Sequence, residues 1–229
     1  MSKKKITIIV CSYNNSKYLK KCLKSIFNQS ISKKYYNVIL IDDKSTDESL
    51  KIIKYFENKK NLLIIKNKKN IGLVKSCNIA IKKSKTDFIV RVDSDDYISK
   101  DFIKYFLKFI YKKYDFIYSN YKIIKKNSIE NIKIDKFKKL ISCSVALKKN
   151  ILVQIGGYRN FLWEEYDLYL RYLKKTKKIF KINKYLYYYR HHKNNMTKLK
   201  SWKIKAWKEL NKAYKKKDID RLKSTVGLN

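Results

Sequence analysis

ITIIVCSYN, at residues 6–14, joins an apolar, β-branched run to a polar turn. Ile6 to Cys11 has the length and composition of a buried strand, and the polar residues Ser12-Tyr13-Asn14-Asn15 end it. A strand of this kind, apolar on both faces, is expected inside a sheet that helices cover on both sides.

Strands and helices are predicted to alternate after this first strand. Further strands are expected at 38–41, 62–65 and 88–92, and helices are expected around the apolar residues of 19–27, around those of 50–56, and at 72–83. Ser16 is the predicted N-cap of the first helix, and Asp47 is interpreted as a cap of the second. Such alternation is typical of an α/β fold with a mostly parallel sheet flanked by helices.

The second half of the chain is less regular. Its predicted helices are 99–111 and about 165–174, and its predicted strands are 116–118, 142–147 and 185–189. The last segment, 193–229, holds twelve Lys or Arg and three acids. Within it, Trp202 to Tyr214 is expected to form a basic amphipathic helix, which either docks on the rest of the protein or lies at the anionic inner face of the cell membrane.

Carboxylates follow two of the predicted strands. Asp42-Asp43 comes after the second strand, and Asp93-Ser94-Asp95 after the fourth. Because ligands bind beyond the carboxyl ends of parallel strands, these acids are expected at one edge of the sheet. On an extended segment Asp93 and Asp95 point to the same side, where a divalent cation relieves their repulsion. Oxygen ligands favour Mg²⁺ or Mn²⁺ over zinc or copper.

The net charge is strongly positive: 57 Lys or Arg against 19 Asp or Glu give +38 in 229 residues. A field of this sign attracts polyanions, so a basic nucleic-acid-binding protein is one alternative. The basic residues, however, are spread along a chain rich in Lys, Ile, Asn and Tyr, which indicates codon bias instead of a selected basic patch. We therefore expect no nucleic-acid partner.

The cysteine spacing does not match the common zinc motifs. The four cysteines are far apart, without a CxxC pair: Cys11, Cys22, Cys77 and Cys143. No signal peptide is visible, and no apolar run approaches the roughly 20 residues of a membrane span. We expect a reduced, cytoplasmic protein.

Several segments resemble, in order, the family 2 glycosyltransferases of the GT-A fold. These segments are ITIIVCSYN, VILIDDKSTD, NIGLVKSCN, VDSDD as the DxD segment, GGY, WEEYDLYLR and YYYRHH. The resemblance implies a GT-A domain at 1–192, with a nucleotide-binding half to about 98 and an acceptor half from 99, followed by the helical extension at 193–229. It also implies metal-dependent, inverting transfer of a sugar from a nucleotide-diphosphate sugar to a glycan or lipid-linked acceptor, in the assembly of a surface polysaccharide or glycolipid.

The resemblance also implies roles for individual residues. The nucleotide-sugar side would comprise Ser12, Tyr13, Asp42, Asp43, Lys75, Asp93 and Arg190. Asp95 and His192 would hold Mn²⁺ or Mg²⁺. The catalytic base would be Glu165, one methylene longer than the Asp usual there, with Glu164 as the alternative.

These roles are also reasonable from the residue types alone. A cation stabilises a nucleoside-diphosphate leaving group, and a carboxylate accepts the proton of the attacking hydroxyl. The helix dipole near a helix start favours an ionised Glu165, and Asp167 is expected to pair with a nearby Lys or Arg. The alternative among enzymes is a sugar nucleotidyltransferase, but CSYNNSKY lacks the glycine-rich, arginine-bearing loop of that class.

Overall fold

A computed structural model describes residues 5–135, 140–192, 195 and 200–219. Its strands are β1 Ile6–Ser12, β2 Tyr36–Asp42, β3 Leu62–Lys66, β4 Phe88–Arg91, β5 Tyr97–Ile98, β6 Phe116–Ile124, β7 Ile129–Ile132, β8 Val145–Lys148 and β9 Ile179–Arg190. Its helices are α1 Ser16–Phe27, α2 Ser49–Phe56, α3 Leu73–Lys83, α4 Phe102–Tyr111, α5 Lys149–Gln154, α6 Glu164–Leu173 and α7 Lys200–Ala213.

All nine of these strands belong to one sheet, in the order β3-β2-β1-β4-β8-β6-β9-β5, with β7 beside β6. The strands from β3 to β4 are parallel, as expected where helices connect them. In the second half, β8 runs antiparallel to both β4 and β6, and β5 runs antiparallel to β9. The predicted α/β sheet flanked by helices is confirmed, with its antiparallel pairs in the less regular half.

The core follows the apolar pattern of the sequence. Ile8 and Val10 of the central strand β1 are fully buried. The side chains of α1 that are completely buried recur at helical spacing and pack toward the sheet: Leu19, Cys22, Leu23 and Ile26. Burial of β1 among other strands and helices fixes the carboxyl end of this strand, and with it the loop at residues 12–15.

The start of α1 differs from the prediction. Ser16 is its first helical residue, and Asn15, without a side-chain cap hydrogen bond, holds the N-cap position. Asp47 instead accepts hydrogen bonds from the backbone N–H groups of Ser16 and Ser49, both at 2.9 Å. Although burial alone would raise it, these bonds lower the pKa of Asp47 to about 2. The carboxylate of Asp47 therefore accepts hydrogen bonds from backbone N–H groups at the N-termini of both α1 and α2.

Gly156 and Gly157 both have positive φ angles, +77° and +69°. A Cβ at Gly157 would overlap Oδ1 of Asn78, whereas one at Gly156 would meet nothing within 4 Å among the described atoms. Asn78 exchanges two hydrogen bonds with the Tyr158 backbone, at 2.8 and 2.9 Å. We expect Gly157→Ala to lower the free energy of unfolding by about 2 to 4 kcal/mol, and Gly156→Ala by about 1 to 2 kcal/mol from the backbone cost alone.

Urea unfolding of the two glycine variants, followed by circular dichroism, measures this difference. Gly156→Ala is the matched control because it carries the same left-handed strain without the overlap. Equal losses in the two variants would contradict a role for the Asn78 contact.

The C-terminal helix α7 docks next to the start of α6. The rings of Trp202 and Trp207 lie 5.5 and 4.9 Å from that of Trp163, both nearly perpendicular to it. The backbone N–H of Leu162 donates to Oε2 of Glu209 at 2.7 Å. Of the two arrangements expected for this amphipathic helix, the structure therefore has α7 docked on the rest of the protein. Among the residues described, no helix has the length and apolar character needed to cross a bilayer.

Candidate active site

Hydrogen bonds join the loops that follow β1, β2 and β4. Nδ2 of Asn15 donates to Oγ of Ser94 at 2.7 Å, and the backbone N–H of Asp43 donates to the carbonyl of Ser12 at 2.8 Å. These strands are parallel neighbours, so their carboxyl ends meet at one edge of the sheet. The acids after β2 and β4 lie at this edge.

Asp43 organises the entry to α3. Its buried carboxylate accepts hydrogen bonds from the backbone N–H groups of Ile71 at 3.0 Å and Gly72 at 2.8 Å, and from Nδ2 of Asn67 at 2.7 Å. Asp42 is also buried, beside it. Both acids therefore shape the loops of this edge, and their contacts with a nucleotide stay predictions.

Ser12, Tyr13 and Lys75, which are also predicted on the nucleotide side, differ in their burial and in their hydrogen bonds. Oγ of Ser12 is buried and has no hydrogen-bond partner among the described residues, which leaves it available to a ligand. Tyr13 is 50% exposed in the same loop. Lys75 is exposed on α3. Ser12 is thus linked to the acidic loops, whereas the described hydrogen bonds do not link Lys75 to them.

Asp93 to Asp96 form a turn, so the prediction of an extended segment was wrong. The backbone N–H of Asp96 donates to the carbonyl of Asp93 at 3.0 Å. β4 already ends at Arg91, and the alternation of a strand does not continue through the turn. Nevertheless Asp93 and Asp95 line the same cleft.

Asp95 and His192 meet in this region. Oδ2 of Asp95 lies 2.9 Å from Nε2 of His192, and the imidazole stacks on the ring of Tyr18 with centroids 4.8 Å apart. Burial, and then the charge of Asp93, raise the pKa of Asp95. His191 is exposed, as expected if only one histidine of the pair points inward. Carboxylate oxygen and imidazole nitrogen are donors that Mn²⁺ accepts, and a cation would offset the repulsion between the two carboxylates.

Arg91 is the residue of this site that the sequence analysis missed. Its guanidinium is buried, and Nε lies 2.6 Å from Oδ1 of Asp93 while Nη1 lies 2.8 Å from Oε1 of Glu164. Although burial opposes it, Arg91 lowers the pKa of Asp93. The guanidinium fork therefore ties the DxD turn to the first residue of α6. In the sequence, the charge of Arg91 at the end of an otherwise apolar strand is the feature that could have identified this residue.

Glu165 differs from its neighbour. Glu164 is committed to Arg91, whereas Glu165 has no ion-pair partner among the described residues and lines the cleft. Burial, and then the charge of Glu164, raise the pKa of Glu165 to about 8. The expectation that the helix dipole keeps this carboxylate ionised was therefore wrong, because desolvation and a like charge outweigh the dipole. A pKa near the working pH nevertheless suits a general base.

Tyr187 and Arg190 hold the turn at residues 93–96 in place through hydrogen bonds. Asp96 accepts hydrogen bonds from the hydroxyl of Tyr187 at 2.7 Å and from the backbone N–H of Arg190 at 2.6 Å.

The guanidinium of Arg190 lies over the rings of Tyr18 and Tyr97, at 4.7 and 5.2 Å. Nη1 of Arg190 is buried and has no hydrogen-bond partner within the described ranges. An unpaired buried donor of this kind suits a phosphate oxygen.

Asp167 is the structural acid that the sequence predicted. Arg159 and Arg171 both pair with its fully buried carboxylate. The hydroxyl of Tyr214 also bonds to it. Asp167 is therefore fully engaged in holding α6 and the C-terminal segment.

The acids face a cleft of about 500 Å³. Its acidic lining residues are Asp93, Asp95, Glu164 and Glu165. Its apolar and aromatic lining comes from β6, the segment before β8, the segment at the start of α6, β9, and α7. The arrangement brings Asp95, which contacts His192, and Glu165, a carboxylate of raised pKa without a described ion-pair partner, into the lining of one cavity.

Sequence relatives of this chain are glycosyltransferases. The chain is 32% identical over 171 residues to a poly(ribitol-phosphate) beta-N-acetylglucosaminyltransferase, TarS, of Staphylococcus aureus, covering 72% of this chain and 29% of the relative. It is 40% identical over 99 residues to a poly(ribitol-phosphate) beta-glucosyltransferase of Bacillus spizizenii, covering 42% and 16%. The chain thus spans less than a third of the length of these relatives.

Solved structures share the fold. A crystal structure of S. aureus TarS 1-349 in complex with UDP-GlcNAc matches with a TM-score of 0.75 at 24% identity, covering 85% of this chain and 61% of that one. The mannosyltransferase PcManGT from Pyrobaculum calidifontis, in complex with GDP-Man and Mn²⁺, matches with a TM-score of 0.73 at 14% identity, covering 91% and 62%. At these identities the likeness supports the GT-A fold.

The family model for glycosyl transferase family 2 matches residues 7–219, nearly the whole chain, including β1, the DxD turn, α6 and α7. The resemblance drawn from the sequence segments is confirmed. The chain belongs to glycosyl transferase family 2.

Proposed function

We propose that this protein is a metal-dependent, inverting glycosyltransferase that moves a sugar from a nucleotide-diphosphate sugar to an acceptor hydroxyl. One observation carries the proposal: Asp95, which lies against His192, and Glu165, which has no described ion-pair partner, line the same cleft. Leaving-group stabilisation and proton removal are the two demands of such a transfer, and this cleft offers groups for each.

The metal would be held by Asp95 and His192. The donor set of one carboxylate and one imidazole, beside the second carboxylate Asp93, fits Mn²⁺ or Mg²⁺. When bound, the ion supplies positive charge next to the diphosphate. Of the two acids of the DxD segment, Asp93 is paired with Arg91, whereas Asp95 has no arginine partner among the described residues.

Glu165 would act as the base. A carboxylate takes the proton of the acceptor hydroxyl as its oxygen forms a bond to the anomeric carbon, and the bond from that carbon to the diphosphate oxygen breaks. Attack opposite the leaving group inverts the anomeric centre. Glu164, held by Arg91, would keep the first turn of α6 in place beside the DxD turn.

The donor side would be formed by the loops at the edge of the sheet. The unpaired Oγ of Ser12 and Nη1 of Arg190 support this assignment, because each is a buried polar atom in need of a partner. Asp42 and Asp43 would border the nucleotide by shaping the loops, as would Tyr13. Lys75, exposed on α3, would contact the diphosphate of the donor.

The substrates are proposed from relatives. The names of the two sequence relatives specify transfer of N-acetylglucosamine or glucose in poly(ribitol-phosphate), and one structural neighbour holds UDP-GlcNAc. We propose a uridine-diphosphate sugar as donor and a phosphate-bearing polyol or glycan of the cell surface as acceptor, with no nucleic-acid partner. Such an enzyme would act in the cytoplasm, where nucleotide sugars are made.

Donor hydrolysis and transfer test the proposal directly. A panel of UDP- and GDP-sugars is incubated with the protein, with Mn²⁺, with Mg²⁺ and with a chelator, and release of the nucleoside diphosphate is measured. We expect release from at least one donor, lost with the chelator. No release and no nucleotide binding with any ion would contradict the function.

A further inference from the structure

The C-terminal helix α7 forms part of the cleft that holds the proposed base. Trp202 and Lys203 line this cleft together with Glu165 and Asp95. Both α7 side chains are only partly buried. Each therefore keeps surface that a ligand in the cleft can contact.

The positions of α7 and of Trp202 are fixed by packing. Ala206 and Leu210 of α7 are fully buried. Trp163, which directly precedes the acids of α6, is 4% exposed and contacts Trp202 edge to face. The same buried indole therefore anchors α7 and borders Glu164, so that Trp202 is held at a set place relative to the acids.

Charge singles out Lys203 among the groups that line the cleft. The cations in the described lining are Arg91 and Lys203, and Arg91 is paired with Asp93 and Glu164. Lys203 makes no ion pair within the described ranges. A cation without an acidic partner in an otherwise acidic cleft can bind an anionic group of a ligand.

The DxD turn lines this cleft through Asp93 and Asp95, but the loops after β1 and β2 and the start of α3 do not. None of Ser12, Tyr13, Asp42, Asp43 and Lys75 lines it. The lining near α7 is apolar and aromatic, with Leu162, Trp163 and Trp202 contributing. The C–H groups of a sugar or polyol pack favourably on the electron-rich face of an indole. A donor bound at the loops would leave this surface to the acceptor.

We propose that α7 provides an acceptor subsite for a polyol or sugar that carries a phosphodiester, with Trp202 as the packing surface and Lys203 as the phosphate contact. The proposal rests on the proposed function and adds a substrate contact to a helix that would otherwise serve only as a support. Lys203 contacts a phosphate whether it belongs to a free oligomer or to a lipid-linked one.

The test uses the full chain and a short ribitol-phosphate oligomer as the probe. Its binding is measured by calorimetry in the presence of UDP and Mn²⁺, for the wild type and four variants. We expect Trp202→Ala to weaken binding about tenfold and Lys203→Gln about two- to fivefold with a smaller dependence on salt. Trp202→Phe, which keeps an aromatic packing surface, should lose less than Trp202→Ala.

Lys205→Gln is the matched control, because Lys205 is exposed on the same helix and does not line the cleft. We expect it to bind the probe within about twofold of the wild type. An oligomer with its phosphates replaced by neutral linkers, and the same oligomer on a lipid carrier, complete the set. The proposal requires weaker binding of the neutral oligomer, and binding of the lipid-linked one that falls equally in Lys203→Gln.

The subsite is overturned if the wild type does not bind the probe, if Lys203→Gln behaves like Lys205→Gln, or if Trp202→Ala has no effect. UDP binding and donor hydrolysis are measured on the wild type and on Lys205→Gln, whose exchanged residue lies outside the cleft, and we expect the two proteins to agree within about twofold. If the wild type binds no donor nucleotide, the result contradicts the proposed function itself. The failure of the subsite and the failure of the proposed function are therefore distinguishable.

Discussion

Glu165→Gln is expected to lower turnover by roughly 10²- to 10⁴-fold, the usual cost of removing a general base. The amide side chain would keep the size and hydrogen-bonding capacity of the glutamate but could not accept the proton of the acceptor. Donor affinity should change little, because Glu165 is assigned to the acceptor's hydroxyl and not to the diphosphate. Steady-state kinetics with a fixed donor, and calorimetry with UDP, separate the two quantities.

The pH dependence gives an independent check on the same residue. The pKa of Glu165 is raised to about 8, first by burial and then by Glu164. A base must be deprotonated, so kcat/KM should rise with pH through about 8 and then level off. This rise should be absent from the residual activity of Glu165→Gln.

The free energy of unfolding should fall as the pH rises, whereas kcat/KM should increase. The folded carboxyl of Glu165 binds its proton more tightly than the unfolded one, whose ordinary pKa is 4.5. The protonated side chain therefore contributes stability below pH 4.5, and this contribution is lost as pH rises through about 8. Relative to the wild type, Glu165→Gln should gain stability over that window, as chemical unfolding at pH 5 and pH 9 would measure.

Two neighbouring acids serve as controls for Glu165. Glu164→Gln should be milder in turnover, because Glu164 is already committed to Arg91. Asp167→Asn should act chiefly on stability, since its buried carboxylate pairs with Arg159 and Arg171. If Glu165→Gln kept near-normal turnover while one of these variants lost it, the base would be that other residue.

The parts of the fold that could be predicted are those with long apolar runs. β1, β2 and β4 are buried segments with clear polar ends, so the edge at which their acids meet followed from the sequence. The antiparallel half could not be read in the same way. β5 has two residues, and three of the four residues of β7 are exposed, so neither has a periodicity to detect.

The parts of the site that were missed depend on distant partners. Arg91 lies in an apolar strand, and its partner Glu164 is 73 residues away, so no local pattern joins them. The cap of α1 comes from Asp47, in another loop, and not from the helix's own first residues. The raised pKa of Glu165 likewise reflects burial, which packing decides and the helix dipole alone does not.

Asp95→Ala is expected to lower transfer by about 10³-fold or more, because a divalent ion contributes several kcal/mol of leaving-group stabilisation. It should also remove the dependence of UDP affinity on Mn²⁺, since His192 would remain as the single ligand of the proposed pair. Asp93 should compensate poorly for the loss of Asp95, because Arg91 already bonds to both of its oxygens, at 2.6 and 3.2 Å.

Calorimetric titration of UDP, with and without Mn²⁺, measures this effect, and Asp101→Ala is the control. Asp101 is also an acid in a loop, but it bonds to Ser30 and does not line the cleft. The metal-free Asp95→Ala protein should be at least as stable as the wild type, because the change removes one of two like charges from a partly buried site. A variant that stays folded and still binds UDP more tightly with Mn²⁺ would show that the ion is held elsewhere, and Asp95 would lose its role as the ligand.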